Sequence, residues 1–195
     1  MEQDFNIFKI EYNKVAPKKG RVLVSEPFLQ DTYFKRSLVL LTEYTKEGCV
    51  GFVLNKPLDV KVNEVMIDFP NCGSTVSIGG PVSTNTIHYI HTLGNFIPNS
   101  VHVQEDVYWG GDFDFIKNGI RNGEITADHI RFFLGYSGWH AGQLEKELEQ
   151  NSWIITEIAS PEMMNPSNDL WKDTLSRLGD KYKIWSNFPE NPGQN

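Results

Sequence analysis

Two apolar runs lie close together in the first third of the chain: Leu38-Val39-Leu40-Leu41, then Val50, Phe52, Val53 and Leu54. Between them sit Thr45, Lys46, Glu47 and Gly48, a four-residue turn, so residues 37–44 and 49–55 predict a β-hairpin. Strands that are apolar at successive positions are covered on both faces, which requires helices over each side of the sheet. Shorter segments rich in β-branched residues, at 21–25, 76–78, 86–93, 101–104 and 153–158, predict further strands. Helical spacing occurs elsewhere. Val62, Val65, Met66 and Phe69 recur at i, i+3, i+4 and i+7 and are stopped by Pro70 and Asn71-Cys72-Gly73. Residues 112–121, 126–134, 142–150 and 168–178 predict four more helices. Thr126 is placed as N-cap of the second of these, with Gly135 just past its end. In the third, Leu144 and Leu148 face inward while Glu145, Lys146, Glu147 and Glu149 face water. In the fourth, Trp171, Leu175 and Leu178 share a stripe that Gly179 ends. Hairpins dominate early and no β-α-β alternation follows, so the class is α+β with a largely antiparallel or mixed sheet.

The 195 residues fit one domain, 1–195, with 1–19 as an extension and 188–195 as a frayed tail. Eighteen basic against 25 acidic side chains give a formal charge of -7, which disfavours capture of a nucleic-acid backbone. The basic cluster Lys14, Lys18, Lys19 and Arg21 reads as a solvated lead-in around Pro17 and Gly20. No apolar run of signal-peptide length opens the sequence, and none of about 18 residues occurs anywhere, so neither export nor a membrane span is expected. Cys49 and Cys72 form no Cys-x-x-Cys pair, and free thiols in a cytoplasm are expected.

Among motifs, Gly135-Tyr136-Ser137-Gly138-Trp139 invites comparison with the Gly-x-Ser-x-Gly nucleophile elbow. Trp139 stands where the elbow needs glycine, and a helix instead of a strand is predicted before Ser137. The segment reads as a helix-to-helix connector in which Gly135, Gly138 and Gly142 turn with positive φ while Tyr136 and Trp139 plug the core. Gly79-Gly80-Pro81 could present amides to an anion, but a sharp strand end explains it equally well, and no nucleotide cradle is present. If residues 94–99 form a symmetric loop, His91 faces His102, close enough to share one small ligand, while His88 points to the other face. Two histidines do not complete a metal site, so neither metal nor cofactor is expected. Asp106, Asp112 and Asp114, and Glu145 with Glu149, read as solvated carboxylates, Asp112 near a helix N-terminus. Arg36, beside the first hairpin strand, needs a carboxylate, a backbone carbonyl or an anionic ligand, and structural pairing is the expectation.

Several spaced blocks occur in one order: Leu23-Val24-Ser25-Glu26-Pro27, Phe34-Lys35-Arg36-Ser37 running into Leu38-Val39-Leu40-Leu41, Gly51-Phe52-Val53-Leu54-Asn55-Lys56-Pro57, Gly79-Gly80-Pro81-Val82, Phe133-Leu134-Gly135-Tyr136-Ser137-Gly138-Trp139 and Gly142-Gln143-Leu144-Glu145. Together they resemble the AlgH/YqgE family of bacterial proteins, over residues 20 to about 158. The resemblance implies an α+β fold with a bent, partly closed, barrel-like sheet surrounded by helices. It carries a transcriptional-regulator label, drawn from a role in alginate control, and no catalytic residue. The expectation is a non-catalytic cytosolic binding or regulatory module for a small ligand or a protein partner. Its surface is expected at Arg36, Asn55, Gly79, Gly80, Tyr136, Trp139 and Gln143. The rival readings are a hydrolase using Ser137 or a histidine, which needs a base within about 3.2 Å of its nucleophile, and a direct DNA binder, which needs a basic face.

Overall fold

The computed structural model describes residues 13–188. Of the expected extension and tail, residues 1–12 and 189–195 lie outside the described residues. The predicted hairpin is the spine of the fold: β2 (Leu38–Tyr44) and β3 (Gly48–Val53) pair antiparallel, with Tyr44 opposite Cys49 and Thr45 N–H donating to the Gly48 carbonyl at 2.9 Å. Alternate residues of β2 enter two different cores. Leu38 and Leu40 pack with Val22, Phe52 and Ile154, and Val39 and Leu41 pack with Leu23, Val53 and Trp139. Helices cover both sides, as the two-sided apolar pattern requires. The first core is closed by α4 (Ser160–Met164), α5 (Leu170–Arg177) and α6 (Asp180–Ser186) through Met163, Trp171, Leu175 and Trp185. The second is closed by α3 (Gln143–Glu149) through Leu144 and Leu148. Each fully buried side chain of this size contributes about 1.5–3 kcal/mol.

The remaining strands are β1 (Val22–Ser25), β4 (Pro57–Lys61), β5 (Thr75–Ile78), β6 (Val82–His91), β7 (Val101–Gln104), β8 (Val107–Trp109), β9 (Ile130–His140) and β10 (Trp153–Thr156). They join in the order β10-β1-β2-β3-β9-β6-β8-β7, with β4 and β5 branching off β9. Every pairing is antiparallel except that of β5 with β9. A third core lies over this second half, where α2 (Phe113–Arg121) lays Ile116 and Ile120 against Val76, Ile130 and Phe132. Asp112 caps α2 by accepting from Phe115 N–H at 2.8 Å, the position its charge favours. The α+β class therefore holds. The sheet is bent, but its ladder does not close. Gln104 Nε2, at the end of β7, donates to the Ile158 carbonyl just past β10 at 3.1 Å.

Beyond the unpredicted β4, β8, α4 and α6, the structure changes several sequence expectations. The helix expected over 126–134 and the connector after it are a single strand, β9. Its first half lies between β5 and β6, and residues 137–140 pair with β3. Gly135, at φ +63°, bends the strand between the halves, so the positive φ expected there is real but serves a strand and not a helix end. The helix expected over 62–69 is one turn, α1 (Val62–Val65); Val65 is 39% exposed, and Asp68 turns the chain at φ +62°. Glu147, expected to face water, is half-buried and bonded to two indoles. Its Oε2 accepts from both Trp139 Nε1 and Trp153 Nε1 at 2.8 Å, and its Oε1 accepts from Gln143 Nε2 at 2.9 Å.

The bend rests on two chain segments crossing without side chains between them. A Cβ on Gly79 would stand 2.2 Å from the Gly135 carbonyl oxygen, and one on Gly80 2.4 Å from the Tyr136 carbonyl. Gly79→Ala is therefore expected to cost about 3 kcal/mol or more in urea unfolding. Gly110→Ala, at φ +70° with open space around it, should cost only the left-handed backbone term of about 1–2 kcal/mol. Glu147→Ala strips two indole N–H groups of one acceptor and should cost about 2–6 kcal/mol by the same measurement, at roughly 1–3 kcal/mol for each orphaned donor.

Candidate functional site

The turn that leads into β2 builds the site. Asp31 Oδ1 accepts from Tyr33 N–H and Phe34 N–H, both at 2.8 Å, and Lys35 N–H donates to the Asp31 carbonyl, giving one capped helical turn. Lys56 closes its far end, where carbonyls point outward, donating through Nζ to Tyr33 at 2.6 Å and Thr32 at 3.2 Å. Phe34 anchors the turn between Trp139 and Trp153, with ring centroids 5.9 and 5.4 Å away. Arg36 then reverses the chain at φ +50°, a conformation that costs an L-residue about 1–2 kcal/mol.

Asn55 holds that reversal. It is 5% exposed; its Oδ1 accepts from Leu38 N–H and its Nδ2 donates to the Arg36 carbonyl, both at 2.8 Å. The Arg36 guanidinium reaches the Phe188 carbonyl and lies 5.2 Å over the Trp171 ring. Structural pairing was expected for it, and a carbonyl and an aromatic face supply the pairing. Trp171 is itself fixed through Nε1 to the Ser25 carbonyl at 3.0 Å.

These groups enclose a cleft of about 390 Å3 between the 31–36 turn, the end of the hairpin and the start of α5. Lys35, Arg36, Lys56 and Lys172 line it, against Asp169 as its one acid. In a chain of formal charge -7 this is a concentrated positive potential inside partly low-dielectric walls, which raises the local concentration of anions.

The seven expected surface residues do not line one cavity. Arg36 and Asn55 share the basic cleft. Gly79 and Gly80 lie in the backbone crossing, where Gly79 N–H is spent on the Leu134 carbonyl at 2.7 Å and does not face a ligand. Tyr136 packs on the first core, edge-on to His88 at 5.5 Å, and Trp139 on the second. Both reach a separate cavity of about 330 Å3 beside Glu43, Glu47, Cys49 and His140. Gln143 accepts from His140 N–H at 3.1 Å and braces Glu147, lining neither cavity. Sequence reasoning missed Lys35, Lys56, Asp169 and Lys172. Lys35 and Lys56 at least stand inside the blocks that carry the family resemblance.

Ser137 and Cys49 are not poised as nucleophiles. Ser137 is fully buried and donates to the Gly79 carbonyl at 3.0 Å. Burial, with Glu145 and Glu43 nearby, pushes the Cys49 thiol up to about 11, far from the thiolate range. His91 does not face His102. The strand β8 lies between them, and each ring packs on Tyr108, at 5.8 and 5.1 Å. His91 Nδ1 accepts from Leu93 N–H at 3.3 Å, so its proton sits on Nε2, which donates to the Gly110 carbonyl at 3.1 Å. Among the described residues no cluster of three or more His, Cys, Asp or Glu could hold a metal ion. No helix there is long and apolar enough to cross a membrane. The basic lead-in is partly neutralised, Arg21 and Lys18 meeting Glu157 at 3.2 and 3.5 Å.

The sequence model of the AlgH-like family matches residues 22–183. The chain belongs to the AlgH-like family. A UPF0301 protein of Bacteroides thetaiotaomicron is 43% identical over 194 residues, covering 98% of each chain. Another from Parabacteroides distasonis is 44% identical, covering 96% of each. Among solved structures, protein DIP2367 of Corynebacterium diphtheriae superposes with a TM-score of 0.75 at 24% identity, over 96% of this chain and all of that one. The AlgH protein of Pseudomonas aeruginosa gives 0.70 at 24% identity, over 90% and 97%. At that identity the two structures establish a shared fold alone.

The His91 environment carries a pH dependence. Burial holds its pKa below the usual histidine value, so the unfolded chain binds that proton more readily than the folded one. The resulting stability is complete above about pH 6.5 and is lost as pH falls toward the folded value. Urea midpoints should drop as pH falls below about 6.5, and the drop should shrink in His91→Gln.

Proposed function

We propose that this protein is a non-catalytic cytoplasmic binding or regulatory module that takes a small anionic ligand in the Arg36 cleft. One observation carries the reading: four cationic side chains and one carboxylate line a single cavity in an otherwise acidic chain. Two others support it. Arg36 is held at φ +50° by the buried Asn55 amide, and strained backbone fixed by its surroundings clusters at ligand sites. The carbonyls of the turn and of Phe188 fix Lys56 and Arg36 in place, so little order remains to be gained on binding. The cytoplasmic assignment is supported by two free cysteines, which pack in different cores.

Calorimetric or NMR titration with inorganic phosphate and with a di- or tricarboxylate tests the reading. Saturable binding is expected, centred on the amides of Lys35, Arg36 and Lys56, and weakening as salt shortens the screening length to about 10 Å at 0.1 M. Reversing the exposed Lys172 to Glu should weaken it about tenfold, near 1.4 kcal/mol. Binding indifferent to both salt and Lys172→Glu would contradict the proposal, as would no binding up to about 10 mM.

A further inference from the structure

A second site is marked by a cation in the interior. Arg131, near the start of β9, is 3% exposed. Its Nη1 donates to the Met163 carbonyl at 2.7 Å, its Nη2 donates to the Leu54 carbonyl and to Ser77 Oγ at 3.1 Å, and its Cζ lies 5.0 Å from the centre of the Phe133 ring. All of these partners are neutral. Its Nε meets no acceptor among the described residues. Burial pushes its pKa down to about 9 with no carboxylate to oppose the shift, so at neutral pH the group stays charged. A buried charge costs several kcal/mol unless another charge or a full set of acceptors offsets it.

Arg131 forms part of the wall of a cavity of about 390 Å3 that shares no residue with the basic cleft. The segment 73–75 that leads into β5, the turn and first residues of β9, and α4 with the residues after it bound this space. Ser74, Thr75 and Asn165 contribute neutral polar groups, Ile130 and Met164 an apolar side, and the exposed Asp128 an acid. The volume is in the range of small-ligand pockets. An inorganic dianion would meet repulsion at Asp128. A simple amine would meet it at Arg131, and an uncharged ligand would answer neither charge. A molecule with a carboxylate at one position and an ammonium at another satisfies both.

We infer that this cavity binds a free α-amino acid, its carboxylate toward Arg131, its ammonium toward Asp128 and its side chain against Ile130 and Met164. The inference stands apart from the reading of the Arg36 cleft.

Isotope-labelled full chain titrated with each common amino acid, with propionate and with propylammonium, to about 10 mM so that a Kd near 1 mM is visible, tests it by amide chemical shifts. One or more amino acids with apolar or amide side chains should shift Ser74, Thr75, Asp128 and Asn165 together, and propionate and propylammonium should bind at least about tenfold more weakly. Asp128 is exposed, so Asp128→Asn keeps the fold; it should weaken the amino acid at least tenfold and leave propionate unchanged. No shifts at these amides with any amino acid would overturn the inference. So would propionate binding as well as the amino acids, or an amino acid whose binding Asp128→Asn leaves intact.

Discussion

The close crossing of Gly79 and Gly80 over Gly135 and Tyr136 is the constraint on which the rest of the structure hangs. Backbone carbonyls approach there to distances that no Cβ could share, and the segments are tied by Gly79 N–H to Leu134, Val53 N–H to Gly79 and Ser137 Oγ to Gly79. Because the chains touch directly, β9 can leave β5 and β6 and continue along β3 within a single strand. That turn wraps the sheet around the first core and sets the hairpin end, with Asn55 and Lys56, beside α5. The basic cleft is a consequence of where the hairpin stops.

Around this joint, single buried polar side chains do the bridging. Asn55 ties the end of β3 to the start of β2, Glu147 ties α3 to two tryptophans, and Arg131 ties β9 to β5, α4 and the end of the hairpin. Each is worth more for the specificity of its geometry than for its net energy, since burial of a polar group is costly unless its partners are in place. Asn55 and Glu147 are answered from within the chain. Arg131 meets only neutral acceptors, and for that reason it directs attention to the cavity beside it.

How far the sequence discloses this depends on the range of the deciding contact. The hairpin is legible because Leu38 to Leu41 and Val50 to Leu54 are apolar at successive positions, which local pattern alone interprets. The α2 and α5 helices are legible from period and caps. The strand β9 is not: Ile130, Phe133 and Leu134 suit a helical stripe, and a left-handed Gly135 suits a helix end as well as a strand bend. Only β5 and β6 on either side decide between them. Arg36 and Asn55 can be singled out from the hairpin, whereas Asp169 and Lys172 arrive from α5, more than 110 residues later, and no periodicity links them to the turn. Glu147 falls on the helix face that amphipathic reasoning assigns to water, and the indoles it serves lie in β9 and β10. His91 and His102 are separated because β8 inserts between their strands, a topology that loop length does not encode.

Native-state hydrogen exchange at the joint tests the central claim most directly, because locally opening segments exchange at free energies below that of global unfolding. If the glycine crossing anchors the fold, the amides of Val53 and Gly79 exchange only through complete unfolding, with the same denaturant dependence as the protein as a whole. Exchange of these two amides through a low-energy local opening, while the core of β1 and β2 stays protected, would show that the crossing is an ornament of the fold and not its anchor.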